Sequence, residues 1–482
     1  MDLRFDGSSR GRCKHDLRFT IHDLWYFSAE ARATLARRLI IGILRFALRV
    51  FFRRVEVAGA ERVPRGGACM FVLNHPNGLV DPCFLLCFAP RRVSFLAKSP
   101  LFKMPFIGQL CRVMEAIPVY RSQDEGVDTS RNRETFALAH QLLTRGGTIG
   151  VCPEGVSHSE PSLKPLKTGA ARIALGAASA GAGLDLSIIP AGLYYTAKTT
   201  FRSGALLYFG DPVRVEPVAP DTSGEPPREA ARELSERIAA ALREVTLNAE
   251  HHEALRVVAR AESIFSAEDE DGEEMTLERE LRRRRRFVEG YAILRERLPE
   301  RLEALESRIR RYEEELRQAG IEDPRDLTPA DLSRRAGPRH LLTRALLFAL
   351  LLPFALAGWL LHYPAYTLAG YLATKFSHNY EDILSTVKII AALLLFPLTW
   401  AALAATVYAL AGWRLALAAL LVAPALGYVA LRFSEEFDRF VAGARAALFF
   451  VTERHFFRQL LSERRAIRRE ILALGDEAER AA

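Results

Sequence analysis

The apolar positions of this 482-residue chain change period along its length, and each change marks a different kind of element. From 55 to about 215, short apolar or β-branched runs recur: CMFVL at 69–73, VSFLA at 93–97, AIPVY at 116–120, TIGVC at 148–152, LSIIPAGLYY at 186–195 and ALLYF at 205–209. Helical patterning lies between several of them, at about 79–88, 131–145 and 167–180. Strand–helix alternation of this kind predicts an α/β domain with a mostly parallel sheet and flanking helices. From about 226 to 320 Arg, Glu, Ala and Leu dominate, with almost no Gly or Pro. That pattern predicts long exposed helices, interrupted by the acidic loop EDEDGEE at 268–274. Within them Arg295–Arg317 reads as a helical hairpin arm or short coiled coil, and Arg282–Arg286 as a solvated face.

After 344 the pattern becomes uniformly apolar. Residues 345–372, 389–411 and 415–431 carry no formal charge. About 20 apolar residues cross a hydrocarbon core, so 389–411 predicts a span and 415–431 a short but adequate one. The first stretch has His362, Tyr363 and Pro364 in its middle, a poor centre for one straight helix. Near the start, LIIGILRFALRVFF at 39–52 carries Arg38, Arg45, Arg49 and Arg53 on one helical face. This stripe predicts a helix in the membrane interface with its arginines among phosphates, the alternative being a surface helix packed on a domain. The resulting division is an N-terminal segment 1–54 with that interfacial helix, an α/β domain 55–225, a charged helical arm 226–335, a membrane region 336–433 and a cytoplasmic helical tail 434–482. The start, MDLRFDGSSRGRCKHDLRF, shows no pattern of a cleavable signal.

Composition alone leaves the partner open. With Lys+Arg 66 against Asp+Glu 58, the net charge of +8 suits a nucleic-acid surface or an anionic bilayer equally. The apolar stretches decide for the bilayer, and no nucleic-acid partner is expected. A mean hydropathy of +0.02 averages a very apolar third with a very charged one. Six cysteines (13, 69, 83, 87, 111 and 152) form no C-x-x-C pair and no Cys/His finger spacing. Neither a disulfide framework nor a metal site is expected, and a reducing compartment is the natural reading.

Three clusters carry candidate chemistry. Run 69–73 leads into NHPNGLVD, which places His75 and Asp81 beyond the C-terminal end of a strand, where open α/β sheets put their ligands. A carboxylate beside a histidine fixes its tautomer and stabilises the imidazolium formed when it takes a proton. Residues six apart do not share a helical face, so the turn at Asn77-Gly78 must bring the pair together. Run 116–120 ends at Arg121, and run 148–152 leads into Pro153-Glu154-Gly155, then Lys164 and Lys167. Only eight lysines stand against 58 arginines, so two within four residues are unusual. Lysine binds phosphate as a compact charge, and Lys167 is expected to open a helix whose N-terminus also favours anions.

NHPNGLVD, IPVYR, CPEGVSHSEPSLKPLKTG and IIPAGLYY together resemble the four ordered blocks of the glycerolipid acyltransferase superfamily. Five residues separate His75 from Asp81 where the usual block has four. Cys152-Pro153-Glu154-Gly155-Val156-Ser157 stands where Phe-Pro-Glu-Gly-Thr-Arg is usual. Both departures, the stretches 282–321 and 383–400, and the apolar C-terminal region look like the membrane-bound glycerol-3-phosphate/dihydroxyacetone-phosphate acyltransferase branch. The resemblance implies that His75 is the general base and Asp81 its orienter, with the acceptor oxygen attacking an acyl thioester (acyl-CoA or acyl-carrier protein) directly. It implies that Arg121 and Lys167 hold the acceptor phosphate, that Glu154 and Gly155 shape its site, and that Pro190 lies near the acyl chain. No cofactor is implied. Cys152 reads as a strand core residue rather than a nucleophile.

The competing readings are a lysophosphatidate acyltransferase and, in another class, a non-catalytic membrane scaffold derived from this fold. Intact His75, Asp81, Arg121 and Glu154 favour the enzyme. A nucleotide-using enzyme is excluded by the lack of a phosphate-loop or dinucleotide fingerprint. Arginine-rich flanks at 334–344 and 432–445 place both ends of the membrane region in the cytoplasm. An even number of crossings follows, with 345–372 expected to dip in and return, and the α/β domain lands on the cytoplasmic face.

Overall fold

Strand β2 (Ala68–Leu73) shows why the apolar runs of the first half do not alternate with polar residues. Ala68, Met70 and Val72 face one buried layer, and Cys69, Phe71 and Leu73 face the other. A parallel sheet covered on both sides needs apolar side chains on both. The computed structural model describes residues 21–481, apart from 122–123, 125–127, 181–182, 223, 268–274, 322, 325–337 and 378–379. The N-terminal stretch with Cys13, the acidic loop 268–274 and Arg334-Arg335 lie outside the described residues.

The other strands are β1 (Arg54–Ala58), β3 (Ser94–Lys98), β4 (Ile117–Val119), β5 (Thr148–Val151), β6 (Leu186–Tyr195), β7 (Gly204–Phe209) and β8 (Val213–Arg214). They form one sheet in the order β1-β7-β6-β2-β5-β3-β4, with β8 on β6. All pairings are parallel except β6 with β7 and with β8. The mostly parallel α/β fold is therefore as the alternation predicts. Strands β1 and β8 escape that reading because they are short and carry charged residues.

Helices α1 (Ile21–Phe51) and α2 (Val80–Phe88) cover one face, and α4 (Asn132–Thr144), α5 (Gly169–Ala180) and α6 (Arg228–Val245) cover the other; the short α3 (Ile107–Val113) precedes β4. Two expectations change here. Helix α6 is not exposed: Ala231, Leu234, Ile238, Leu242 and Val245 are core residues against the sheet, so the packed unit runs past 225. The arginines of α1 are not all left to their surroundings either: Arg38, Arg45 and Arg49 are exposed as the stripe predicts, yet Arg45 and Arg49 also touch the protein. Arg45 donates to the Cys87 carbonyl (3.2 Å from Nε), and Arg45 and Arg49 both stack over Phe88. Arg37 is buried, with its two terminal nitrogens each 2.7 Å from the carbonyls of Met114 and Val93. Beside Arg38, Arg45 and Arg49, α1 also exposes Leu35, Leu39, Ile43 and Phe46.

Helices α7 (His252–Ser266), α8 (Leu277–Arg297) and α9 (Pro299–Gln318) form the charged arm. Thr276 caps α8 by accepting from the Arg279 N–H, and Pro299 opens α9 where no N–H is needed. The arm is closed by the last helix, whose Phe457, Leu460, Ile467 and Leu474 pack against Leu302, Leu305, Ile309 and Tyr312. The Arg282–Arg286 run is less solvated than its composition suggests. Arg284 lies 3.1 Å from Glu280 and 3.7 Å from the fully buried Glu262, and Arg282 stacks over Tyr208. Carboxylates from facing helices absorb the charge.

Helices α10 (Pro338–Phe376), α11 (Glu381–Ala411) and α12 (Trp413–Thr452) are each long and apolar enough to cross a membrane; α13 (Arg454–Ala481) follows and closes the arm. Helix α10 is continuous through Pro353 and Pro364, so the expected break at 362–364 is not there. His362 is satisfied within the bundle: its Nδ1 donates to the Gly358 carbonyl at 2.7 Å, and its Nε2 accepts from Trp400 Nε1 at 2.8 Å. Small residues let the helices approach. A methyl added at Gly427 would come within 2.8 Å of the His362 ring, and one at Gly358 within 2.1 Å of the Leu426 carbonyl. Helix α13 packs on the arm that precedes α10. Arg308 joins them directly, 2.9 Å from Glu470 and also paired with Glu463.

Candidate active site

His75 follows β2 at the carboxyl edge of the sheet, between the ends of β5 and β6. The chain then turns through Pro76-Asn77-Gly78, where Gly78 takes φ +48°, and enters α2 with Asp81 in its first turn. This turn brings the pair together: His75 Nδ1 lies 2.9 Å from Asp81 Oδ2. Asp81 is fully buried, and its oxygens accept from groups on three sides. The Asn77 N–H donates to Oδ2 at 2.7 Å, and the Tyr195 hydroxyl donates to Oδ1 at 2.7 Å. A carboxylate fixed in this way orients the ring, with Nδ1–H toward Asp81 and Nε2 left for a substrate proton.

Burial alone would favour the neutral ring. The Cys152 sulfur beside the ring and the Asp81 carboxylate on Nδ1 outweigh burial and hold the imidazole well above its ordinary range. Cys152 itself corrects an expectation: β5 ends at Val151, so Cys152 sits just past the strand, half-buried beside His75. Burial pushes its thiol up, which keeps it neutral and a poor nucleophile.

Glu154 is 2% exposed and acts as a brace. Its Oε1 accepts from the His75 backbone N–H at 3.1 Å, and its Oε2 accepts from the Lys164 N–H at 2.8 Å and pairs with His158 Nε2. Lys164 thus contributes a backbone contact to the site.

Gly155, at φ +75°, is where the two expected phosphate cations converge. Its carbonyl accepts from Arg121 Nη1 at 2.6 Å, and a methyl on it would come within 2.9 Å of Lys167 Nζ. Arg121 also donates from Nε and Nη2 to Asp124, at 2.9 and 2.6 Å. Those bonds hold the Asp124 carboxyl below its usual range. Guanidinium carries five N–H donors, so two remain beyond these three bonds. Lys167 does not open α5, which begins at Gly169; its N–H donates to the Pro153 carbonyl at 2.8 Å. Pro190 is not brought to this group. It lies within β6 opposite Val72 and packs over Gly210.

Pattern reading missed the groups that hold the site in shape. Tyr195 ends the LSIIPAGLYY run, and its strand position gave no sign of its contact with Asp81. Asn74 pins β2 to β6 through a pair of bonds with Leu193, at 3.0 and 2.7 Å. Lys198, in the loop after β6, donates to the Pro76 carbonyl at 2.9 Å and to Ser159 Oγ at 2.6 Å.

A histidine–carboxylate pair at the sheet edge, beside cations gathered on a glycine turn, is an arrangement able to take a proton next to an anionic group. Residues 54–194 match the family described as Acyltransferase, and residues 264–479 match the glycerol-3-phosphate acyltransferase 2 C-terminal domain. The chain thus carries an acyltransferase domain followed by a glycerol-3-phosphate acyltransferase C-terminal domain. Glycerol-3-phosphate O-acyltransferase 2 of Saccharomyces cerevisiae is 28% identical over 281 residues, covering 56% of this chain and 37% of the yeast protein. Glycerol-3-phosphate O-acyltransferase 1 of the same yeast is 28% identical over 366 residues, 57% of this chain and 48% of its own. The chain thus spans less than half the length of these two relatives. The 1-acyl-sn-glycerol-3-phosphate acyltransferase BAT2 of Brassica napus is 26% identical over 166 residues, 34% of this chain and 44% of its own.

Proposed function

We propose that this protein is a membrane-bound O-acyltransferase that moves a fatty acyl group from a thioester donor to the hydroxyl of glycerol-3-phosphate or dihydroxyacetone phosphate. The observation that carries this reading is the His75–Asp81 pair, held at 2.9 Å beside the cations gathered on Gly155. His75 Nε2 removes the acceptor hydroxyl proton as the oxygen attacks the thioester carbonyl. The carbon–sulfur bond then breaks, and the thiolate leaves with the proton that His75 returns. Arg121 and Lys167 hold the acceptor phosphate, which sets its hydroxyl against the base. The donor is acyl-CoA or acyl-carrier protein, and no cofactor takes part.

The yeast matches cover more than half of this chain and the Brassica match about a third, which favours glycerol-3-phosphate over lysophosphatidate as acceptor. The test is a two-substrate assay of the purified protein with glycerol-3-phosphate, dihydroxyacetone phosphate and lysophosphatidate in parallel. Preference for lysophosphatidate would replace the acceptor reading, and inactivity with all three would leave the scaffold.

The α/β domain, arm and tail share the cytoplasmic face, where a soluble acceptor and thioester are found. Arm and tail pack together, so the chain between them crosses an even number of times and the three apolar helices are not all simple spans. Cysteine labelling after 413 and after 445 tests this placement. A tail reached only from outside would overturn it.

A further inference from the structure

The turn that joins His75 to Asp81 lies against a membrane helix. A methyl on Gly78 would come within 2.6 Å of the Asp382 backbone oxygen and 3.3 Å of Thr386 Oγ1, both in the first turns of α11. Three polar contacts fix this approach. Ser157 Oγ donates to Asp382, Ser385 Oγ donates to the Lys198 carbonyl at 2.6 Å, and Lys388 Nζ donates to the Thr199 carbonyl at 2.8 Å. Ser385 is fully buried, and Asp382 and Thr386 are each 8% exposed. Farther along α11, Ile389 enters the core cluster that holds α1, α2 and the sheet. Lys198 carries the contact into the site, because its ammonium reaches the Pro76 carbonyl inside the His75–Asp81 turn and Ser159 in the third block. Ser157 stands where the usual third block has arginine, and here its hydroxyl is turned to Asp382.

We propose that this contact is a latch: Asp382, Ser385 and Lys198 are positioning residues through which α11 holds the His75–Asp81 turn in its reactive geometry. None of the three touches the reacting atoms. Their effect passes through the turn, whose placement matters because a displacement of about 1 Å can cost about 10²-fold in rate. Third-block position 157 then serves the membrane helix rather than the acceptor. The inference rests on the acyltransferase reading for its kinetic readout and on backbone exchange for its structural one.

The test uses the full chain in lipid nanodiscs, with Ser385→Ala, Asp382→Asn and Lys198→Met, and Lys198→Arg as the conservative variant. We expect turnover to fall by about 10- to 100-fold in Ser385→Ala and Lys198→Met, with both KM values within about threefold of wild type. Lys198→Arg should recover part of the loss, and Asp382→Asn, which keeps an acceptor for Ser157, should lose least. Amide exchange across 75–81, which needs no activity, should speed up in the same order. Unchanged exchange in both Ser385→Ala and Lys198→Met would overturn the latch, as would faster exchange with wild-type turnover. A wild-type protein inactive toward every phosphorylated acceptor would sink the acyltransferase reading instead, leaving exchange to decide the latch.

Discussion

The two halves of the site are built on opposite plans. Around His75 the key carboxylate is fully buried and met by three donors: the Asn77 N–H, the Tyr195 hydroxyl and the His75 ring itself. Around Gly155 the cations stay partly exposed, and Arg121 is held by a carboxylate, Asp124, at its outer edge. The difference suits the tasks proposed for them. An orienting carboxylate works best in low dielectric, with its lone pairs already used and nothing to reorganise when the ring takes a proton. A phosphate cradle must admit a solvated dianion, so it keeps N–H donors in reserve and tolerates water. Base and cradle are therefore expected to fail differently, one in turnover and the other in KM.

His75→Ala is the strongest way to break the first half. Loss of a general base costs about 10²–10⁴ in turnover. Folding should barely change, because the ring lies at the sheet edge. Near-normal turnover in a folded His75→Ala protein would refute the assigned role.

Asp81→Asn should cost less, since the base remains and only its orientation and charge partner are lost. It also has a pH signature. A ring whose pKa lies well above the ordinary histidine range is protonated, and idle as a base, until the pH rises through that value. The acid limb of kcat/KM in the wild-type protein should therefore lie above the usual value near 6.5. Removing the carboxylate withdraws support for the imidazolium, so the limb should move down in pH while the plateau falls. An upward move in the pH–rate profile would show that Asp81 does not act on the ring's charge.

The cradle is probed by Arg121→Ala and Lys167→Ala. Charge-assisted phosphate bonds contribute about 1.5–3 kcal/mol each, so the KM for a phosphorylated acceptor should rise roughly 10- to 150-fold. Turnover at saturation should change far less. A raised thioester KM with an unchanged acceptor KM would move these residues to the donor side. Between the two substitutions, Arg121→Ala is expected to be the larger, because it also strands Asp124 beside the loop.

The two halves were also unequally legible in the sequence. The base half was readable because turn and chemistry sit in one short stretch: His75, Asn77-Gly78 and Asp81 are contiguous, and their spacing already required the turn that forms. The cradle was readable in outline, since Arg121, Glu154 and Lys167 all follow strand ends. What sequence pattern could not supply is contact between distant segments. Nothing local shows that Tyr195 reaches Asp81, that Asp382 receives Ser157, or that Pro190 packs over Gly210. The same limit explains α6, whose charged composition hid an apolar stripe that only the sheet could claim. It also explains the arm, where arginines read as solvated meet carboxylates from helices far away in sequence. His362 is the reverse case: a polar residue in an apolar run suggested a break, yet Gly358 and Trp400 satisfy both nitrogens and the helix continues.

The smallest expected effect is at the boundary of the base half, and it separates two chemistries. Cys152 touches the His75 ring, the arrangement a thiol–imidazole nucleophile would use. The physical state of the sulfur argues against that role, because burial raises its pKa and leaves a neutral thiol at physiological pH. A neutral hydrogen bond contributes about 0.5–1.5 kcal/mol, so Cys152→Ala should lower turnover by no more than about tenfold. Loss of a true nucleophile would cost several orders of magnitude more and would abolish any covalent acyl intermediate. Mass spectrometry of wild-type protein quenched during turnover supplies the second measurement. An acyl adduct on Cys152, together with an inactive Cys152→Ala protein, would make the reaction two-step and turn His75 from the acceptor's base into the thiol's activator.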